Sequence, residues 1–212
     1  MKTSDWLLIG IIAFVLIDFA AGRVINFLNE KSKNQPLGPE AADIYSEAEY
    51  QKSMAYGTAN YKLESFSSVI STSVILAAII LGFFANLDSF IRERIGNNLL
   101  VTVLFIGILI ILSSLGSLPA SIYSTFVIET KYEFNKTTPM LFIADQVKNL
   151  LLSLGIGLPL LYAIAWIYQE LQSVFWLVAW LLVASFTLFM FVFGTRIFLP
   201  LFNKLKPLPE GE

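Results

Sequence analysis

The chain has 212 residues and a net charge of −2, and it is 56% hydrophobic but only 14% charged. Soluble domains carry about 45–50% apolar and about 25% charged residues, so this composition excludes a water-facing globular surface, and the near-zero net charge excludes disorder and nucleic-acid binding. There is no cysteine and no histidine, which removes disulfides, thiolate metal sites, imidazole ligands and His-based proton transfer.

A bilayer core takes about 20 apolar residues as a helix. Five stretches qualify: Trp6–Leu28, Phe66–Leu87, Leu99–Ile122, Leu150–Tyr168 and Val174–Leu199. The expected fold is an all-α integral membrane protein. The first stretch is too long, and lacks the small-residue cleavage pattern, to read as a removable signal peptide. It carries an intramembrane carboxylate, Asp18, which is costly there and must face a partner or water. Arg23, Asn26 or a polar group on another helix could satisfy it, a structural pairing rather than a catalytic role.

Between the first two spans, Pro36, Gly38 and Pro39 mark a turn, with Pro39 at the first position of a following helix. From Glu40 to Glu64 there is no proline and one glycine, Gly57. The second helix is therefore expected to extend well beyond the membrane, as a rod of about 45–50 residues. Tyr45, Lys52, Tyr56 and Leu63 share one face, a packing stripe or a wall for a partner domain. Within the spans, Ser67/Ser71, Ser68/Thr72, Ser113/Ser117 and Ser153/Gly157 are spaced for close helix approach; the alternative is that they line a water-filled cavity.

The connection Leu118–Lys148 mixes large apolar side chains with Glu129, Lys131, Glu133, Lys136, Asp145 and Lys148. Pro119 should kink the third span near its end. Thr138 is placed to cap a helix with Pro139 at its first position, and Asp145 and Lys148 share a face of that helix. So many large apolar residues imply that something packs on this loop. Gln169–Ser173 is a short polar link making the last two spans an antiparallel hairpin. Trp6, Tyr61, Trp166, Tyr168 and Trp176 fall near span ends as interfacial belts, whereas Trp180 lies deeper and is expected to pack.

Lys2, Arg92 and Arg94 lie on one side of the membrane and the other eleven Lys and Arg residues on the opposite side. The positive-inside rule then puts the first and third loops and the C-terminus in the cytoplasm and the N-terminus outside. Self-contained catalysis finds no support. There is no H-E-x-x-H, no Walker A loop, no dinucleotide fingerprint and no second membrane carboxylate to pair with Asp18. Glu129 and Glu133 lie at a membrane edge without a visible catalytic partner.

The third loop nonetheless carries a long, gap-free signature. It comprises Leu118-Pro119, Tyr123 to Glu129, Lys131, Phe134-Asn135-Lys136, Thr138-Pro139, Phe142, Asp145 and Lys148. It resembles the N-terminal membrane region of the type I CAAX prenyl proteases, membrane-bound zinc metalloendopeptidases. Glu49 to Ser53 with Tyr56, and Ile197 to Glu212, resemble the family's first-loop helix and the exit from its fifth span.

The resemblance implies a family enzyme in which a cytoplasmic domain after the Leu-Pro-Glu-Gly-Glu segment carries H-E-x-x-H and a further glutamate ligand. Two more membrane helices usually accompany that domain. Zinc would polarise the scissile carbonyl and activate water, with the motif glutamate as base. This chain stops at Glu212, so a fragment or split gene product is the expectation, with no cofactor of its own. It would supply chamber wall and docking loops, with Glu129, Asn135, Lys136, Asp145 and Lys148 as candidate contacts to the zinc peptidase domain, reached in cis or in trans. Its other expected partners are the lipid bilayer and prenylated or membrane-protein substrates, and its expected location is a prokaryotic cytoplasmic membrane. The competing readings are a standalone scaffold or regulator that binds a separate protease, and, more weakly, a small transporter, for which neither an inverted repeat nor a second buried charge is found.

Overall fold

The computed structural model describes residues 3–33 and 46–202. Among the described residues six α-helices follow one another: α1 (Thr3–Lys33), α2 (Glu47–Ile80), α3 (Phe83–Arg92), α4 (Asn98–Tyr123), α5 (Pro139–Leu171) and α6 (Phe175–Phe202). A π-helical segment, Ser124–Glu129, continues α4. Five helical stretches are long and apolar enough to cross a membrane: Asp5–Ser32, Glu47–Ile80, Asn98–Glu129, Pro139–Leu171 and Phe175–Ile197. All five expected spans are therefore present, and no strand occurs among the described residues.

Residue contacts group the chain into two compact units. One comprises Met1–Phe90 with Leu112–Thr137, the other Ile91–Ile111 with Thr138–Glu212. In the first, α1 packs along α2, and the π-helical segment packs on α2. In the second, α5 and α6 form the expected hairpin. Its turn is closed by the Val174 amide donating to the Leu171 carbonyl at 2.9 Å, and Tyr168 meets Phe175 edge to face at 5.1 Å. Two helix starts in this unit are capped by side chains. The Thr138 hydroxyl accepts from the Leu141 amide with Pro139 next in line, and the Asn97 side chain accepts from the Leu99 and Leu100 amides ahead of α4.

Several expectations are corrected. The second helix is 34 residues, shorter than the expected rod, and it begins at Glu47, just after Ser46, where Ser46 and Glu49 form a reciprocal capping box. That start satisfies two amides that the first helical turn would otherwise leave bare. The start proposed at Pro39, and the position of Tyr45, lie outside the described residues, as does most of Ile197–Glu212. The second span does not reach Leu87: it stops at Ile80, Gly82 takes φ +68°, and a separate helix follows. Pro119 lies inside α4, and a π-helical segment follows from Ser124.

Little apolar surface is hidden. Among the described residues only Ile91, Leu99, Val101, Ile128 and Ile167 are buried apolar side chains. Trp180, expected to pack, is 64% exposed. The small-residue seams are also mostly open. Ser113, Gly116, Ser117 and Ser153 are exposed, and a Cβ added at Gly116 or Gly157 would meet nothing within 4 Å. A Cβ at Gly107 would sit in ordinary contact, 3.4 Å from the Leu158 methyls, as would one at Gly194, 3.9 Å from the Met190 methyl.

Candidate functional site

Two places in the first unit concentrate polar side chains. The first is a groove between α1 and α2 inside the apolar stretch. Asp18, Gly22 and Asn26 recur every fourth residue on α1, so they stack on one face. They look across at Ser68, Ser71 and Thr72 of α2, with Phe14, Val15, Phe19 and Ile75 completing a groove of 390 Å³. Asp18 is exposed in it. Arg23 does not neutralise Asp18; its guanidinium lies over the Tyr61 ring, 5.7 Å from the centroid. Asn26 shares the groove rather than bonding to Asp18, and it also lines a second hollow of 160 Å³ with Asn29, Glu30, Gly57, Asn60, Tyr61 and Glu64. There the Thr58 hydroxyl donates to the Glu30 carboxylate at 2.6 Å. Ser71 and Ser73 satisfy their hydroxyls on carbonyls of their own helix, which lets α2 carry hydroxyls through an apolar layer at little cost.

The second place is where the third loop meets the N-terminal part of α2. The Lys52 ammonium pairs with the Glu133 carboxylate, and the Tyr132 hydroxyl donates to the Ala55 carbonyl at 3.0 Å. The Tyr56 ring meets Tyr132 at 5.6 Å and Phe134 at 4.9 Å, both edge to face. Lys52 also lies 5.7 Å from the Phe134 ring centroid. The loop's packing partner is thus α2 itself. Of the expected stripe on α2, Lys52 and Tyr56 make the contact. The Lys52 ammonium holds the Glu133 carboxyl below the usual carboxylate range, by hydrogen bond first and by charge second.

The candidate contact residues have distinct local roles. The Glu129 carbonyl accepts from the amides of Phe134, at 2.8 Å, and Asn135, at 3.2 Å. Glu133 adopts φ +65° to make that turn. The Asn135 side chain donates to the Thr130 hydroxyl at 3.0 Å and accepts from the Thr137 amide at 2.7 Å, so it shapes the loop. Lys136 is exposed. In the other unit, Lys148 and Asp145 form the expected pair one turn apart, at 3.3 Å. Sequence reasoning missed the Ser46 capping box, although Ser46-Glu47-Ala48-Glu49 spells it, and it missed the Glu133 turn, for which only the neighbouring Asn135 gave a signal.

The donor set does not fit zinc. The sequence has neither histidine nor cysteine, and among the described residues no three acidic side chains converge where a metal ion could be held.

Comparison with known proteins agrees with the third-loop signature. A family model described as the CAAX prenyl protease N-terminal region, five membrane helices, matches residues 26–204. The CAAX prenyl protease 1 homolog of Arabidopsis thaliana is 29% identical over 210 residues, 95% of this chain and 50% of that protein. CAAX prenyl protease 1 of Saccharomyces cerevisiae is 31% identical over 194 residues, 86% of this chain and 43% of that protein. The crystal structure of S. mikatae Ste24p matches with a TM-score of 0.85 at 28% identity, covering 97% of this chain and 50% of that one. The chain thus spans about half the length of the curated relatives it matches. With five apolar helices, the loop signature and a family match over most of its length, the chain belongs to the CAAX prenyl protease family, as its N-terminal membrane region.

Proposed function

We propose that this chain is a single membrane domain, residues 1–212, that walls an intramembrane chamber and presents the loops on which a zinc peptidase domain sits. The observation that carries this is the polar groove at Asp18, Asn26, Ser68, Ser71 and Thr72, open within two otherwise apolar helices. Polar groups at membrane depth are tolerated where they line a cavity or face protein. The exposed small faces at Ser113, Gly116 and Ser117 fit the same role.

In this reading the first and third loops and the C-terminus are cytoplasmic and the N-terminus is outside. The orientation rests on the eleven-to-three division of Lys and Arg. Glu129, Asn135, Lys136, Asp145 and Lys148 face the peptidase domain, which follows in cis or binds in trans. Zinc and its chemistry belong to that domain, and the substrates are prenylated proteins or other membrane proteins. A prokaryotic cytoplasmic membrane is part of the same proposal. The relatives named above are eukaryotic.

Joining this chain to the C-terminal half of a family member, or co-producing the two, tests the reading. The halves should co-purify and cleave a membrane peptide substrate. Glu129→Ala with Asp145→Ala should weaken both association and cleavage by an order of magnitude, while each variant remains folded. Unchanged association and cleavage would remove the loop residues from the interface. Failure of the halves to associate at all would favour the scaffold reading.

A further inference from the structure

We propose that α3 is an interfacial helix, lying along the membrane surface with its phenylalanine edge sunk into the boundary between lipid headgroups and acyl chains.

The chain leaves α2 at Ile80, and the helix breaks over two residues. The Gly82 amide donates to the Ile79 carbonyl at 3.2 Å, Gly82 takes φ +68°, and its own carbonyl accepts from the Asn86 amide at 3.0 Å to start α3. At 1.5 Å per residue, ten residues reach about 15 Å. That is half of the ~30 Å a bilayer core requires, so α3 cannot cross. The helices on either side, α2 and α4, both can. The connection therefore begins and ends at one edge of the membrane.

The residues divide as an interfacial helix requires. At 100° per residue, Phe83, Phe84, Leu87, Phe90 and Ile91 fall within an arc of about 120°. Asn86, Asp88, Ser89 and Arg92 occupy the opposite side. The apolar arc is itself split. Ile91 is buried and Phe84 and Leu87 are half-buried, so one edge packs on protein. Phe83 and Phe90 form the other edge, 39% and 54% exposed. That edge follows directly in the chain on Ile80 and Leu81, 65% and 76% exposed, at the end of the apolar stretch of α2. Aromatic rings on one edge and polar groups on the other suit the lipid boundary, where both environments are met within one helix diameter.

Because the chain has no cysteine, single substitutions can be spin-labelled without background. Phe83→Cys, Asn86→Cys, Ser89→Cys and Phe90→Cys in the whole chain would be labelled and reconstituted into phosphatidylcholine–phosphatidylglycerol vesicles. Collisions with oxygen, which enters lipid, are then compared with those of a water-soluble nickel chelate. The oxygen-to-nickel ratio should be several-fold higher at 83 and 90 than at 86 and 89. Equal ratios at all four sites, or a steady gradient from 83 to 90, would overturn the proposal. Should the phenylalanine variants fail to fold, Phe90→Trp read as a difference against the parent chain keeps the test. Quenching by a shallow nitroxide lipid should exceed that by a deep one, and equal or absent quenching would overturn the proposal.

Discussion

Tyr56 and Glu133 hold the same contact by different physics. Tyr56 is half-buried and meets two rings edge to face. Such pairs contribute about 0.5–1.5 kcal/mol each beyond the area they cover, so Tyr56→Ala should cost about 1–3 kcal/mol, measured as a loss of thermal stability in detergent. Glu133 is largely exposed, so its pair with Lys52 is screened by water and salt and adds little at neutral pH. Its mark is in acid. Its carboxyl is held below the usual range, so its contribution is complete above the unfolded carboxylate value of about 4.3 and is lost as pH falls through the lower folded value. Limited proteolysis of the third loop should therefore rise as the pH drops below about 4, and Glu133→Gln should flatten that rise. The stripe holding Lys52 and Tyr56 was legible because helix periodicity puts them on one face. The use of Asn135 as a turn former was not legible. It depends on the Thr130 hydroxyl and Thr137 amide arriving within reach, which is fixed only once the Glu129 carbonyl has closed the turn.

At the level of elements, hydropathy finds spans well and breaks badly. It located all five membrane helices, because apolar runs of that length have few alternatives. It carried the second span to Leu87, because Leu81, Phe83 and Phe84 continue the apolar run through Gly82 with no change in composition. What ends α2 is backbone conformation, φ +68° at Gly82, which a hydropathy average does not register. Gly82→Ala meets no steric obstacle but must adopt a left-handed conformation, at a cost of about 1–2 kcal/mol. Ser46→Ala removes the hydroxyl half of the capping box and should cost about 1 kcal/mol. Both are read as thermal unfolding shifts in detergent. Gly10→Ala in the α1 interior, also unobstructed, should be neutral or stabilising by up to ~1 kcal/mol. A destabilisation at Gly82 no larger than at Gly10 would mean that the turn carries no strain.

For the molecule as a whole, charge distribution and exposure bear on the same question. The five long helices bury few side chains among the described residues, so the solvent for most of their surface is hydrocarbon or further protein. Which aqueous compartment the loops enter is set by Lys and Arg, since moving them across a bilayer during insertion is what the cell avoids. In the proposed topology three of the fourteen fall on the α3 side and eleven on the side of the loop contact. Part of that ratio reflects loop length, so direct labelling is the decisive measurement. Ser53 and Lys131 are exposed around the loop contact, and Glu93 is exposed just after α3. With no native cysteine to interfere, a membrane-impermeant maleimide applied to intact cells should label Glu93→Cys and leave Ser53→Cys and Lys131→Cys unmodified until the membrane is opened. The inverse pattern would put the Lys52–Glu133 contact outside the cell. A cytoplasmic peptidase domain could not then reach the third loop, and the docking proposal would fail while the five-helix membrane fold stood.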